Sequence, residues 1–280
     1  MIDDLRAAGY EPRLPEEIAL RAIAAQTSGA RVLLCEGPPG CGKTALAQAY
    51  AQATRAAYLY ALLHSWTDDQ ELFVGVDVAA AVAGDAARVH RSGIIALAAE
   101  ASHRGHVVLC LDELDKAPDR VEGLLLDMLQ TGRVPVRPGE QVQARLDRLT
   151  VIVTSNGQRQ LGDAFLRRCR RVWMSPLPVD VLDRLVEERA GVPRGVARLA
   201  SKAARAVAVA EGNPSLSLQE IAAFAADAWV VAQTIQELRE LLAQHAARTA
   251  EGAATARRAG GEALWGEIAA LRRRAAACLV

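Results

Sequence analysis

Apolar residues fall into two kinds of stretch that alternate along the chain. Short unbroken runs occur at 31–35 (Arg-Val-Leu-Leu-Cys), 57–63, 106–111, 149–154 and 171–174. Runs of that length without a polar face predict strands covered on both sides. Between them lie longer stretches with helical spacing, at 16–28, 43–54, 92–103, 118–130 and 160–169. In the first of these, Ile18 and Ile23 share a face with small alanines. In the fourth, Val121, Leu124, Leu125, Met128 and Leu129 share the inner face. Strands alternating with helices predict an α/β fold with a mostly parallel sheet. Segments 133–136 and 141–146, split by Arg137-Pro138-Gly139-Glu140, predict a hairpin. Residues 68–84 suit either a capped helix or a loop. After Ser175-Pro176-Leu177-Pro178 the pattern is helical throughout. Ser217-Leu218-Gln219-Glu220 is a capping box, followed by Ile221, Phe224, Ala225, Ala228, Trp229 and Ala232 at helical spacing. A break is expected at 251–261, then a terminal helix from Glu262 to Leu279.

Composition narrows the function classes. The 280 residues are 51% hydrophobic but only 4% aromatic, so alanine supplies much of the apolar share. That balance excludes a disordered chain. With 33 basic and 33 acidic side chains the formal net charge is zero, which counts against a bulk polyanion binder. The five cysteines (Cys35, Cys41, Cys110, Cys169, Cys278) form no CxxC pair and sit near no histidine at ligand spacing. Zinc and a disulfide framework are therefore not expected, and reduced thiols in a cytoplasmic protein are. The acidic start, Met1-Ile2-Asp3-Asp4, is no signal peptide, and no apolar stretch suffices for a membrane span. Only three basic residues are lysines: Lys43, Lys116 and Lys202.

Lys43 has a chemical reason. Gly37-Pro38-Pro39-Gly40-Cys41-Gly42-Lys43-Thr44 matches GxxxxGK[ST], between a predicted strand and a predicted helix. The glycines let successive N–H groups turn inward around phosphate oxygens, and the helix start adds its positive end. Lys43 would reach the β- and γ-phosphates of a bound nucleotide, and the Thr44 hydroxyl would bind Mg²⁺. A second motif, Val107-Val108-Leu109-Cys110-Leu111-Asp112-Glu113, puts two acids at the carboxyl end of a strand. Asp112 would join the Mg²⁺ shell, and Glu113 would polarise a water for attack on the γ-phosphate.

With both motifs placed, the chain resembles an AAA+ ATPase, and within that superfamily the MoxR-like group, over roughly residues 14–232. The phrases Leu33-Leu34-Cys35-Glu36-Gly37-Pro38-Pro39-Gly40 and Asp112-Glu113-Leu114-Asp115-Lys116-Ala117 carry the likeness. The resemblance implies a P-loop core with a five-stranded sheet (1–176) and a helical lid (177–234); residues 235–280 match nothing in the group and read from their own pattern as a helical C-terminal extension. It implies that Asn156, ending Val151-Ile152-Val153-Thr154-Ser155-Asn156, is sensor 1. It implies an arginine finger in Ala164-Phe165-Leu166-Arg167-Arg168-Cys169, with Arg167 and Arg168 both open. It implies sensor 2 at Arg194 of Gly191-Val192-Pro193-Arg194, with Arg198 as rival. The 133–146 hairpin is similar to the group's pre-sensor-1 hairpin, and 68–84 to its insertion. Phe73-Val74-Gly75 is similar to a pore loop, but ordinary packing explains it better.

By the same resemblance the protein is a Mg²⁺-dependent ATP hydrolase that forms a ring, six subunits being usual. It would act on a protein substrate or beside a von Willebrand factor A domain partner. A nucleic-acid motor and a non-hydrolysing scaffold are the rival classes. Zero net charge argues against the first, and intact Glu113, Asn156 and the arginine pair against the second.

Overall fold

The computed structural model describes all residues except 86–87, 138, 213–215, 260 and 278–280. It contains two compact units, Met1–Pro38 with Gly42–Ser175, and Pro39–Cys41 with Pro176–Val280.

The first unit opens with α1 (Ile2–Ala7) and α2 (Leu14–Ala24), and continues through β1 (Arg31–Glu36), α3 (Lys43–Ala53) and β2 (Ala57–Leu62). Next come α4 (Asp69–Leu72), β3 (Val74–Val76), α5 (Val78–Val82), β4 (His90–Ser92) and α6 (Ile94–Ser102). The unit ends with β5 (Val107–Asp112), α7 (Asp119–Thr131), β6 (Arg133–Arg137), β7 (Glu140–Gln143), β8 (Leu149–Ser155), α8 (Asp163–Leu166) and β9 (Arg170–Trp173). Five strands form one parallel sheet in the order β2-β5-β8-β1-β9. Burial follows position. Every residue of β5 and β8 is buried, whereas the edge strands β2 and β9 are largely exposed or half-buried. A continuous apolar run can form a central strand because both its faces are covered by helices. From β1 the chain crosses to β2 at the far edge, and β5 and β8 then fill the gap. The carboxyl ends of β1, β5 and β8 are thereby neighbours, where ligands bind in such sheets.

Two small antiparallel pairs, β3 with β4 and β6 with β7, stand outside this sheet. The second is the hairpin expected at 133–146, pairing Val134 with Val142; its Pro138 lies outside the described residues. The ambiguous 68–84 stretch is mixed. Asp68 caps α4 by accepting from the Gln70 and Glu71 N–H groups, and Asp77 caps α5. Phe73 is 7% exposed, a packing residue rather than a loop tip. Gly132 ends α7 at φ 68°, a left-handed position that suits glycine.

The second unit holds α9 (Val179–Ala190), α10 (Arg194–Ala210), α11 (Leu218–Val230), α12 (Ile235–Ala246), α13 (Ala250–Ala259) and α14 (Glu262–Ala277). The capping box opens α11, with Ser217 Oγ accepting from the Glu220 N–H and Glu220 accepting from the Ser217 N–H. One apolar cluster runs from Leu182 through Phe224, Leu238 and Leu242 to Leu264 and Ile268. It crosses position 234 without interruption, so α12, α13 and α14 share their core with the helices before them.

Three sequence readings need correction. The break expected at 251–261 is occupied by α13. Alanine's helix propensity and the buried Ala256 outweigh the single Gly252 within it. The helix expected over 160–169 shrinks to α8, four residues long, so Arg167 and Arg168 follow a helix end. On α2 the inner face is Ala19, Leu20 and Ile23, while Ile18 is 50% exposed. Tertiary packing chose between two faces that both carried an isoleucine. None of Cys35, Cys41, Cys110 and Cys169 is in a disulfide; Cys278 lies outside the described residues. No described helix is long and apolar enough to cross a membrane.

Candidate functional site

The loop after β1 is built for close approach. Gly37, Gly40 and Gly42 have φ of 154°, 77° and 97°, and Gly42 begins α3 in a left-handed conformation. A residue with a Cβ is strained at the last two, so this path requires glycine. Pro39, Gly40 and Cys41 are the loop residues that group with the second unit. Lys43, the first residue of α3, is 7% exposed. Its Nζ donates to Gly37 O at 2.8 Å, Pro38 O at 2.9 Å and Asn156 Oδ1 at 2.7 Å. A buried ammonium needs such acceptors, and three converge on it.

Asp112 ends β5, 9% exposed, and its carboxylate collects three hydroxyls. Thr44 Oγ1 reaches Oδ1 at 2.9 Å, Thr154 Oγ1 reaches Oδ1 at 2.5 Å, and Tyr60 OH reaches Oδ2 at 3.0 Å. Burial, then the neighbouring Asp112 charge, pushes the Tyr60 phenol up to about 12, so it stays protonated and donates. Thr44 and Asp112 are hard oxygen donors in direct contact. Among the described residues no cluster of three or more His, Cys, Asp or Glu could hold a metal. A divalent ion here would therefore complete its shell with water and phosphate oxygens, which fits Mg²⁺.

Glu113 follows at φ 61°, ψ 47°. It is one of two described non-glycine residues with positive φ, the other being Arg55. That conformation costs about 1–2 kcal/mol for a residue with a Cβ. Contacts hold it there. Its N–H donates to Thr154 Oγ1 at 2.8 Å, its Oε1 accepts from Asn156 Nδ2 at 2.9 Å, and its Oε2 pairs with Lys116 Nζ at 2.7 Å. The hydrogen bond to Glu113 raises the Lys116 pKa. Asn156 therefore bridges Lys43 and Glu113 with its two amide atoms. The Asn156 backbone is fixed in turn, since its N–H and that of Gln158 donate to buried Asp115 at 3.1 and 2.9 Å.

Lys43, Thr44, Asp112, Glu113 and Asn156 thus meet in one hydrogen-bonded group. Arg167 and Arg168, in the same unit, do not join it. Arg167 is exposed, and its guanidinium makes no hydrogen bond or ion pair with a described residue. Arg168 Nη1 donates to Ala164 O at 2.6 Å. Arg194 is the first residue of α10 in the second unit, exposed like Arg198 one turn on. Sequence reasoning overlooked Thr154, Tyr60 and Asp115 as site residues. A threonine inside a strand or a tyrosine near a strand end carries no local mark of its role.

Residues 32–169 match the family model of the AAA domain (dynein-related subfamily). Over those residues, about half of its length, the chain is similar to an AAA domain. No curated protein sequence matches it. Among solved structures it is similar to NtrX from Brucella abortus in complex with ADP, with a TM-score of 0.51 and 17% identity. The likeness covers 76% of this chain and 49% of that one, so this chain spans about half the length of NtrX, and the likeness bears on the fold alone. The AAA match takes in all five residues of the cluster and ends at Cys169, two residues after Arg167.

Proposed function

We propose that this AAA domain binds Mg²⁺–ATP on the loop from Gly37 to Thr44, and that the chain assembles into a ring and spends hydrolysis on remodelling a protein partner, as MoxR-like proteins do. The observation that carries the reading is the continuous contact from Lys43 through Asn156 to Glu113, beside the Thr44–Asp112 contact. Thr44 and Asp112 would hold Mg²⁺, which supplies positive charge to the phosphate oxygens when bound.

Lys43 would exchange Asn156 Oδ1 and the two loop carbonyls for phosphate oxygens. Asn156, still held through its backbone by Asp115, would then turn its amide toward the γ-phosphate and the attacking water. Glu113 would accept the water's proton, with its side chain confined by Asn156 and Lys116. Arg167 is the better finger of the pair, because Arg168 is partly committed to Ala164 O. A finger serves a neighbouring subunit's γ-phosphate, and this requires the ring. Arg194 would contact the nucleotide within its own subunit.

Two measurements test this. Phosphate release per subunit should rise with protein concentration as the ring forms. Strict proportionality to a monomer defeats the shared site. Glu113→Gln should lower kcat by about two orders of magnitude while a fluorescent nucleotide still binds. Unchanged hydrolysis removes Glu113 from the mechanism.

A further inference from the structure

We infer that Thr154 is a positioning residue for hydrolysis, its one hydroxyl setting the geometry of both acids at the end of β5; this rests on the proposed roles of Asp112 and Glu113. Thr154 is fully buried on β8. The last ladder pair between β5 and β8 is Leu111 with Val153, so Thr154 comes level with Asp112 where β5 stops. Its Oγ1 lies 2.5 Å from Asp112 Oδ1 and 2.8 Å from the Glu113 nitrogen.

The direction of each bond is fixed. A backbone N–H can only donate, so Oγ1 accepts from Glu113. Its single hydrogen is then left for the carboxylate of Asp112. The two bonds do different work. The first holds the left-handed backbone at Glu113, which aims its side chain at Asn156 and Lys116. The second holds Asp112 Oδ1 in the orientation in which it also meets Thr44 Oγ1. A valine at 154 would keep the shape of the side chain and lose both bonds. A serine would keep both bonds and lose only a methyl group.

The test compares Thr154→Val and Thr154→Ser by steady-state ATP hydrolysis, fluorescent-nucleotide binding and thermal unfolding. Thr154→Val should fold and bind nucleotide within about threefold of wild type, with kcat reduced tenfold or more. Thr154→Ser should retain kcat within about threefold. A valine variant with wild-type kcat overturns the inference, and so does a serine variant as slow as the valine one. A readout on the unaltered protein stands apart from activity and from any folding defect. The Glu113 amide lies beyond the last ladder pair, yet it should be protected from hydrogen exchange, and rapid exchange there overturns the inference. If wild type binds nucleotide but never hydrolyses it, the functional reading fails instead, while the exchange result still decides whether Thr154 holds Glu113.

Discussion

The two units bury different things. Of the polar or charged residues buried among those described, only Ser201 lies in the helical unit. Glu16, Lys43, Thr67, Ser102, Asp112, Asp115, Glu122, Thr150, Thr154 and Ser155 all lie in the α/β unit. The apolar clusters differ as well. Among the described residues, alanine makes up nine of the twenty in the helical unit's apolar cluster but five of the twenty-five in that of the α/β unit. Small side chains let helices approach closely, so the helical unit is held by dense packing that leaves little room for a polar group. A parallel sheet ends in strand termini whose backbone groups and neighbouring side chains can satisfy a buried charge. The chemistry therefore collects in the unit that can afford it.

That contrast can be broken from either side. Phe224→Ala removes a fully buried ring from the alanine-rich core and should cost about 3–5 kcal/mol, read as a lowered urea midpoint. Glu16→Ala should cost about as much in the α/β unit for the opposite reason. Glu16 is 1% exposed, accepts from Tyr10 OH at 2.9 Å and from the Arg13 N–H at 3.0 Å, and pairs with the Arg13 guanidinium. Removing it strands those donors. A neutral result for Glu16→Ala would mean that buried polar groups do not hold this unit together. Ala228→Leu should cost about 1–3 kcal/mol, because the fully buried Ala228 has no space for three more carbons. A stabilised Ala228→Leu variant would show a looser helical core than its alanine content implies.

The smallest effect is with pH. Burial tends to raise the Glu220 carboxyl, but the Ser217 N–H and hydroxyl and Arg248 outweigh it and hold the pKa below its ordinary 4.5. A depressed carboxyl stabilises the fold above its unfolded pKa, and that contribution is lost as pH falls through the folded value. Unfolding midpoints of the helical unit should therefore fall as pH drops below about 4.5, and Glu220→Gln should flatten that part of the profile.

Much of this was legible because it depends on local spacing. Continuous apolar runs marked β1, β5 and β8, and the glycine spacing marked the loop before Lys43. Asp112, Glu113 and Asn156 each sit at the end of a buried run, so the run located them. What escaped depended on partners far along the chain. Thr154 and Tyr60 matter because the strand order brings them to Asp112, which is 42 and 52 residues away. The break expected at 251–261 failed because glycine count is a weak signal against alanine propensity and a buried Ala256.

By itself the sequence determined the chemical inventory: a phosphate loop with its one lysine, a pair of acids, an asparagine, and an alanine-rich helical tail. Backbone freedom, hydrophobic periodicity and charge are properties of neighbouring residues, and they survive in a linear reading. The tertiary structure alone decided how the inventory is wired. It placed the Lys43 ammonium against Asn156, set Glu113 left-handed beside Thr154, kept Arg167 out of that cluster's bonds, and chose which face of α2 to bury. Those outcomes follow from strand order and packing, which bring together residues that no local pattern connects.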